Sequence, residues 1–411
     1  MRALVLADSD AYLKWAVSRA RDLPSEWQVD VVVLDNAVTP SARQRVVAVA
    51  GRWIDVPVVS LAQVAQTLSA GVDVLVLACR GPLIEFFFSE VLEELPERPV
   101  VVSGVPGLWF PPTRRGLDSR AAVDVLVVHS ERERRMVEAA NSSGGPEVAL
   151  ASLVDRFDPE DLREAEGAGA VVFDPQALVP CTRAERQQLL DGLLRTAWEH
   201  PSVPVLVKIH SHDDEAQIHH EFASYPELAR ELRVERPRNL RFVTGPLSAY
   251  LGGARGLVTV SSSAAVEAIA AKVPTMVLSD FGVASRNLNE VFQGSGLWGD
   301  LDRLARLDFP VPDAPWCEQN YFHDPAASDW VGAVTELVGD PAELRRLRDR
   351  RPPGPQPTGL RGRVRRLRLR SQALGAADAP WRRVTTGLVV KPVLAARELV
   401  VRAERAPRGG S

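Results

Sequence analysis

The chain has 411 residues, 45% of them hydrophobic and 25% charged, which suits two or three globular domains and excludes collagen, coiled coil and wholesale disorder. Its three cysteines, Cys79, Cys181 and Cys317, are scattered, so they form neither a disulfide framework nor a CxxC zinc site and point to a reducing, cytoplasmic setting. Net charge is only −4, yet from Arg345 onward there are 18 basic and 4 acidic residues, a local +14 that leaves −18 on residues 1–344. An acidic body with a basic arm is the expectation, and such an arm meets an anionic surface while the body itself is not read as a nucleic-acid binder. No apolar run reaches the roughly 20 residues of a membrane-spanning helix. The opening MRALVLADSD also turns acidic before a signal-peptide pattern develops, so neither a span nor a secretory signal is expected.

In chain order, RALVLAD, VDVVVLD, VDVLVLAC, RPVVVSG and VDVLVVHS recur between helix-length segments. Their near-continuous Val/Leu content predicts strands buried on both faces, and hence a doubly wound parallel α/β domain over residues 1–160. The stretch DRFDPEDLREAEGAG reads as an interdomain connection. A second series, GAVVFD, VPVLVKIH, LRFVTG, GLVTVS and VPTMVLSD, predicts a second Rossmann-like domain over 161–345. Residues 346–411 read as an Arg-rich linker with a basic patch, RVRRLRLR, followed by an amphipathic tail that either docks on the body or lies on a membrane.

Open parallel sheets bind ligands beyond the carboxyl ends of their strands, so residues at those ends are the candidates. Lys208 and His210 leave the second strand of the second domain, placed to meet a phosphate or a base. The same loop nearly matches a dinuclear-metal pattern through His210, His212 and Asp213 or Asp214, with His219 and His220 following, but Glu215 stands where the last histidine belongs. The most specific passage is Gly256 to Met276, in which Ser261, Ser262 and Ser263 open a helix carrying Glu267. Small side chains and free N–H groups suit a phosphate, and Glu267 suits ribose hydroxyls, whereas simple N-capping accounts for one serine only. In the first domain Asp8, Ser9 and Asp10 follow the first strand, and Gly104, Pro106 and Gly107 follow another. Asp8 or Asp10 is a candidate general base, with helix capping as the alternative. His129 closes a further strand, as a cleft residue or a cap. Asp280, Gly282 and Asn287 are candidates for a sugar pocket, and Asn320 and His323 for the far side of the cleft. The GxGxxG at Gly294 to Gly299 follows a helix-like segment instead of a strand, so NAD binding is rejected, and no P-loop or GxSxG elbow occurs.

Tandem domains together with SSSAAVEAIAAKVP resemble a GT-B glycosyltransferase. Lys208-Ile-His210 followed by the serine run is similar to the paired motifs of bacterial sialyl-, polysialyl- and Kdo-transferases, with Ser211 replacing a proline. SDAYLKWA, GVPGLWFP, VVHSERE, QIHHEFASYPEL, SDFGVASRNLNEVFQGSGLWG and NYFH resemble an uncharacterised actinobacterial family of predicted glycosyltransferases. The resemblance implies a nucleotide-sugar donor, CMP-activated in the narrower comparison, held by Lys208, His210, the three serines and Glu267, with Asp8 or Asp10 as base. It implies no further cofactor and a metal-independent, inverting transfer to a glycan or lipid-linked cell-envelope acceptor, and the basic arm adds an expected place at the inner membrane face. A nucleotide-sugar 2-epimerase shares the layout and is the enzymatic rival. A non-catalytic nucleotide-binding scaffold and, more remotely, a metal-dependent hydrolase using His210 and His212 are the others.

Overall fold

The computed structural model describes residues 1–49, 56–141, 144–153, 166–209, 223–232, 235–350 and 359–375. Seven parallel strands form the first sheet: β1 (Arg2–Ala7), β2 (Gln28–Leu34), β3 (Val58–Val59), β4 (Val74–Ala78), β5 (Val100–Gly104), β6 (Val125–Val128) and β7 (Glu147–Leu150), in the order β3-β2-β1-β4-β5-β6-β7. Six more form the second: β8 (Val171–Phe173), β9 (Val205–Lys208), β10 (Leu240–Val243), β11 (Gly256–Thr259), β12 (Thr275–Leu278) and β13 (Trp298–Gly299), in the order β10-β9-β8-β11-β12-β13. The two-domain parallel α/β architecture expected from the Val/Leu runs is therefore observed. The short strands β3, β7 and β13 are additions, two of them only two residues long. Gly294 to Gly299 runs into β13 instead of leaving a strand, which agrees with rejecting it as a dinucleotide loop.

Successive side chains of a strand point to opposite faces, and the first sheet sorts them by size. Ala3, Val5, Ala7, Val74, Val76 and Ala78 face one side, where Tyr12, Trp15, Trp27 and Trp330 fill the space. Leu4, Leu6, Leu75 and Leu77 face the other, against Phe86, Phe87 and Trp109. Gly104 belongs to the first arrangement, because a Cβ there would lie 2.5 Å from the Trp15 ring and 2.9 Å from the Val127 carbonyl.

Past the second sheet the chain returns to the first domain. Helix Trp330–Gly339 places Trp330, Val334 and Leu337 in the first domain's core, so this packing begins before the residue 345 expected from sequence. Asp329 accepts from the Leu150 N–H at 2.6 Å and from Arg134 at 2.6 Å. RVRRLRLR, expected as linker, instead lies within a helix, Gly359–Leu374, that packs on helix Gly81–Glu90. Ala373 and Leu374 are buried there, Arg365 pairs with Glu85, and Arg370 lies over the Phe86 ring. Among the described residues no helix is long and apolar enough to cross a membrane. The tail from 376 lies outside them.

Candidate functional site

Each sheet reverses its strand order once, between β1 and β4 in the first domain and between β8 and β11 in the second. A crevice opens at the carboxyl edge of such a reversal, and at both a buried carboxylate meets a cation and a hydroxyl.

In the second domain Asp174, directly after β8, is 2% exposed. One oxygen accepts from Ser262 Oγ at 2.8 Å and the other faces Lys208 Nζ at 3.7 Å, so one carboxylate ties together the ends of β8, β9 and β11. Lys208, at the end of β9, is itself 7% exposed. The three serines do different things. Ser261 donates to the Leu288 carbonyl at 2.5 Å, and Ser262 also accepts from the Ala264 N–H at 3.1 Å. Ser263 makes no capping bond to helix Ala264–Ala270. A Cβ added at Gly107 would lie 3.8 Å from the Ser263 Cβ, so the loop after β5 and the serine turn after β11 meet across the domain boundary. Gly107 has φ +89°, a conformation glycine adopts without steric penalty. Glu267 is partly exposed and already engaged within the protein.

In the first domain Asp8 is fully buried. Its Oδ1 accepts from Ser9 Oγ at 3.0 Å, and its Oδ2 from Arg80 Nε at 2.6 Å and the Arg80 N–H at 3.2 Å. Both oxygens are thus occupied, a buried ion pair in place of the open cleft-facing base expected for this residue. Asp10 starts helix Asp10–Asp22 and accepts from Lys14 at 2.7 Å through Oδ2, leaving Oδ1 without a hydrogen bond. Gly104 is a packing glycine against Trp15, not an open cleft position.

His129 is neither a cap nor an open cleft residue. Its Nε2 accepts from Trp15 Nε1 at 2.9 Å, its Nδ1 faces the Ala151 carbonyl at 2.9 Å, and Ser130 does the capping. Burial, helped by the positive charge of Arg19, lowers its pKa to about 3, so this imidazole is neutral. The nearby Glu133 is also buried and accepts from the His129 N–H, the Trp109 N–H and, across the domain boundary, Tyr321 Oη at 2.7 Å. Desolvation raises the pKa of Glu133 and, further still, that of Tyr321. Arg132 completes this seam, stacked 3.7 Å from the centre of Phe110 while donating to the Val291 carbonyl.

The remaining candidates are distributed around this frame. Asn287 is buried and donates to the Phe281 and Gly282 carbonyls, bracing the loop after β12. Gly282 itself (φ +82°) has open space where a side chain would stand, and Pro106 is half-buried beside Gly107. Asp280 is exposed and accepts from the Leu301 N–H, which ties it to the sheet edge at β13. Asn320 is buried and donates to the Trp316 carbonyl, while the half-buried His323 lies near Glu131, Arg134 and Asp329, its pKa lowered chiefly by burial. His210, His212, Asp213, Asp214, His219 and His220 lie outside the described residues. Among those described, no three His, Cys, Asp or Glu side chains are grouped to hold a metal ion.

Sequence reasoning passed over Asp174, Arg80 and Glu133. The signal for the first two was their place, since each is within two residues of a strand's carboxyl end beside the order reversal. Glu133 stood inside VVHSERE with nothing to separate it from a solvated helix face.

Residues 3–337 match the family described as "Putative glycosyltransferase (DUF6716)". The chain belongs to that family. Among solved structures it is similar to S. aureus MnaA in complex with UDP (11% identity, TM-score 0.52, covering 85% of this chain and 98% of that one). It is similar too to the UDP-GlcNAc 2-epimerase of Methanocaldococcus jannaschii (12%, 0.52, 83% and 100%) and to that of Neisseria meningitidis bound to UDP-GlcNAc (9%, 0.50, 82% and 99%). At such identities the likeness is one of fold, and the expected GT-B layout of two facing Rossmann-like domains is what this member of the glycosyltransferase family has. No curated protein matches the chain.

Proposed function

We propose that this protein transfers a sugar from a nucleotide-sugar donor, held at the β8/β11 crevice, to a glycan or lipid-linked acceptor at the carboxyl edge of the first sheet. The observation that supports this most is Lys208. A lysine 7% exposed at a strand end is costly to bury unless its charge is used, and here it is steered by Asp174 beside a turn of small residues. A donor phosphate placed there would meet the Lys208 ammonium and Ser263 Oγ, with Ser261 and Ser262 shaping the turn and Glu267 near the ribose. Charge building on the departing phosphate would be met by Lys208, a term that requires no metal. Of the two aspartates, Asp10 is the better candidate for general base, because Asp8 has both oxygens engaged, whereas Asp10 keeps one buried oxygen, Oδ1, without a hydrogen-bond partner. An inverting transfer needs only that base, the acceptor hydroxyl and the leaving nucleotide. Three similar folds are known with UDP or as UDP-GlcNAc enzymes, so uridine nucleotides join CMP as donor candidates. A basic arm near the inner membrane face would bring the enzyme to a cell-envelope acceptor.

Thermal shift with CMP, CDP, UDP, GDP and ADP, with and without EDTA, tests this reading, because a ligand that binds only the folded state raises its stability. A pyrimidine nucleotide is expected to stabilise the protein with EDTA present, and Lys208→Ala to weaken that binding about tenfold or more while remaining folded. Equal affinity in Lys208→Ala would remove the donor site from this crevice. Conversion of a free nucleotide sugar without acceptor would instead identify an epimerase-like reaction.

A further inference from the structure

The helix Gly359–Leu374 does more than dock. Together with helices Gly81–Glu90 and Arg114–Arg120 it encloses an open groove of about 310 Å³, whose polar lining is Glu85, Arg115, Arg365, Arg368 and Gln372. Glu85 is already used. One of its oxygens accepts from Ser119 Oγ at 2.9 Å and the other from Arg365 at 3.0 Å. Arg366 and Arg370 are turned to the docking contact, toward Glu90 and the Phe86 ring. Arg115 and Arg368 are different, since among the described residues neither guanidinium is paired with a carboxylate, and both line the groove.

Topology places this groove. Helix Gly81–Glu90 starts three residues after β4 and helix Arg114–Arg120 follows the loop after β5, so Pro82 and Arg115 sit at the same edge of the sheet as Asp8, Arg80 and Gly107. Gly375, just past the docked helix, packs against Ala37 in the loop after β2, which brings that helix to this edge as well.

We propose that Arg115 and Arg368 form a binding site for a phosphate ester carried by the acceptor, at the acceptor rim of the cleft. Two like charges lining one groove repel each other, and an anion placed in it relieves that repulsion. Guanidinium forks match phosphate oxygens in pairs of parallel hydrogen bonds, and Gln372 offers an amide donor beside them. The groove is larger than a phosphate ion, leaving room for the glycerol or sugar that bears it. The phosphate comes either from a soluble phosphorylated glycan or from a lipid headgroup. This site rests on the glycosyltransferase reading for its purpose but not for its detection.

The test compares the full-length protein with Arg368→Gln and with the double variant Arg115→Glu/Arg368→Glu, in two arms. One measures glycerol 3-phosphate binding by titration calorimetry, the other co-sedimentation with vesicles of phosphatidylglycerol and phosphatidylcholine in equal parts. Helicity by circular dichroism and UDP or CMP stabilisation are followed in every variant. Binding in the first arm, weakened about tenfold in the double variant and less in Arg368→Gln, supports the site with a soluble phosphate ester as ligand. Binding in the second arm alone, lost in the same order, supports it with a headgroup. No binding in either arm, or binding indifferent to both arginines, overturns the proposal. Nucleotide stabilisation is expected to be unchanged in all variants, so failure of the donor site in the wild-type protein would be a separate result.

Discussion

Both domains place a carboxylate, a hydroxyl and a cation where their strand order reverses, yet the two trios are built for different ends. Around Asp8 the cation is Arg80, whose side chain is 25% exposed and whose Nε lies 2.6 Å from the carboxylate. Around Asp174 it is Lys208, 8% exposed and 3.7 Å away. With Arg80 on one carboxylate oxygen and Ser9 on the other, the Asp8 trio is closed to further partners. The lysine pair is longer and more deeply buried, the arrangement on which the proposed phosphate site rests. The same ingredients thus make a brace in the first domain and a steered charge in the second.

The largest effect that would sharpen this contrast is expected from Asp174→Ala. Removing that carboxylate takes a counter-charge from a buried ammonium, at a cost of about 3–5 kcal/mol, and denaturant unfolding should show it together with loss of nucleotide stabilisation. Wild-type stability in Asp174→Ala would break the comparison. Arg80→Ala should cost less, about 2 kcal/mol, because the buried Asp8 carboxylate it leaves behind keeps the Ser9 hydroxyl and the backbone N–H of residue 80 as donors. Nucleotide affinity should be kept in that variant.

A third measurement uses pH. His129 titrates at about 3 in the folded protein, below the roughly 6.5 of an unfolded histidine. The folded state therefore binds fewer protons, and the stability this neutral ring provides is complete above pH 6.5 and is lost as pH falls toward 3. Relative to His129→Gln, the wild-type protein should lose about 2 kcal/mol between pH 7 and pH 5. Constant difference across that range would mean that the ring is protonated in place. The smallest effect is expected for Tyr321→Phe, which removes one of the three donors to Glu133 and should lower stability by about 1 kcal/mol, with a matching change in proteolysis at the domain seam.

Much of this fold was legible because strands buried on both faces read as unbroken Val/Leu runs. The exceptions have physical causes. Two-residue strands such as Val58–Val59 and Trp298–Gly299 carry no periodicity. In helix Gly359–Leu374 the apolar positions Val364, Leu367 and Leu374 do follow a helical spacing, but arginines between them and the preceding prolines mask it. Among the candidate residues, Lys208, Asp8 and the serine run were legible because each stands at or just past a strand's carboxyl end. Their partners Asp174 and Arg80 were not, since β8 with β11 and β1 with β4 are neighbours in space and not in sequence. That Gly104 serves Trp15 instead of a ligand is likewise a fact of packing that its loop-end position hides.

Helix Trp330–Gly339 carries a consequence for how the protein is made. Trp330 is fully buried in the first domain and donates to Asp22 at 3.0 Å, and Val334 and Leu337 pack beside it. During synthesis the first sheet thus emerges before part of its own core, which is supplied only after the second sheet has been translated. Folding of the two halves is then coupled in time, with the amino-terminal half dependent on a chaperone or on its own partly packed state while it waits.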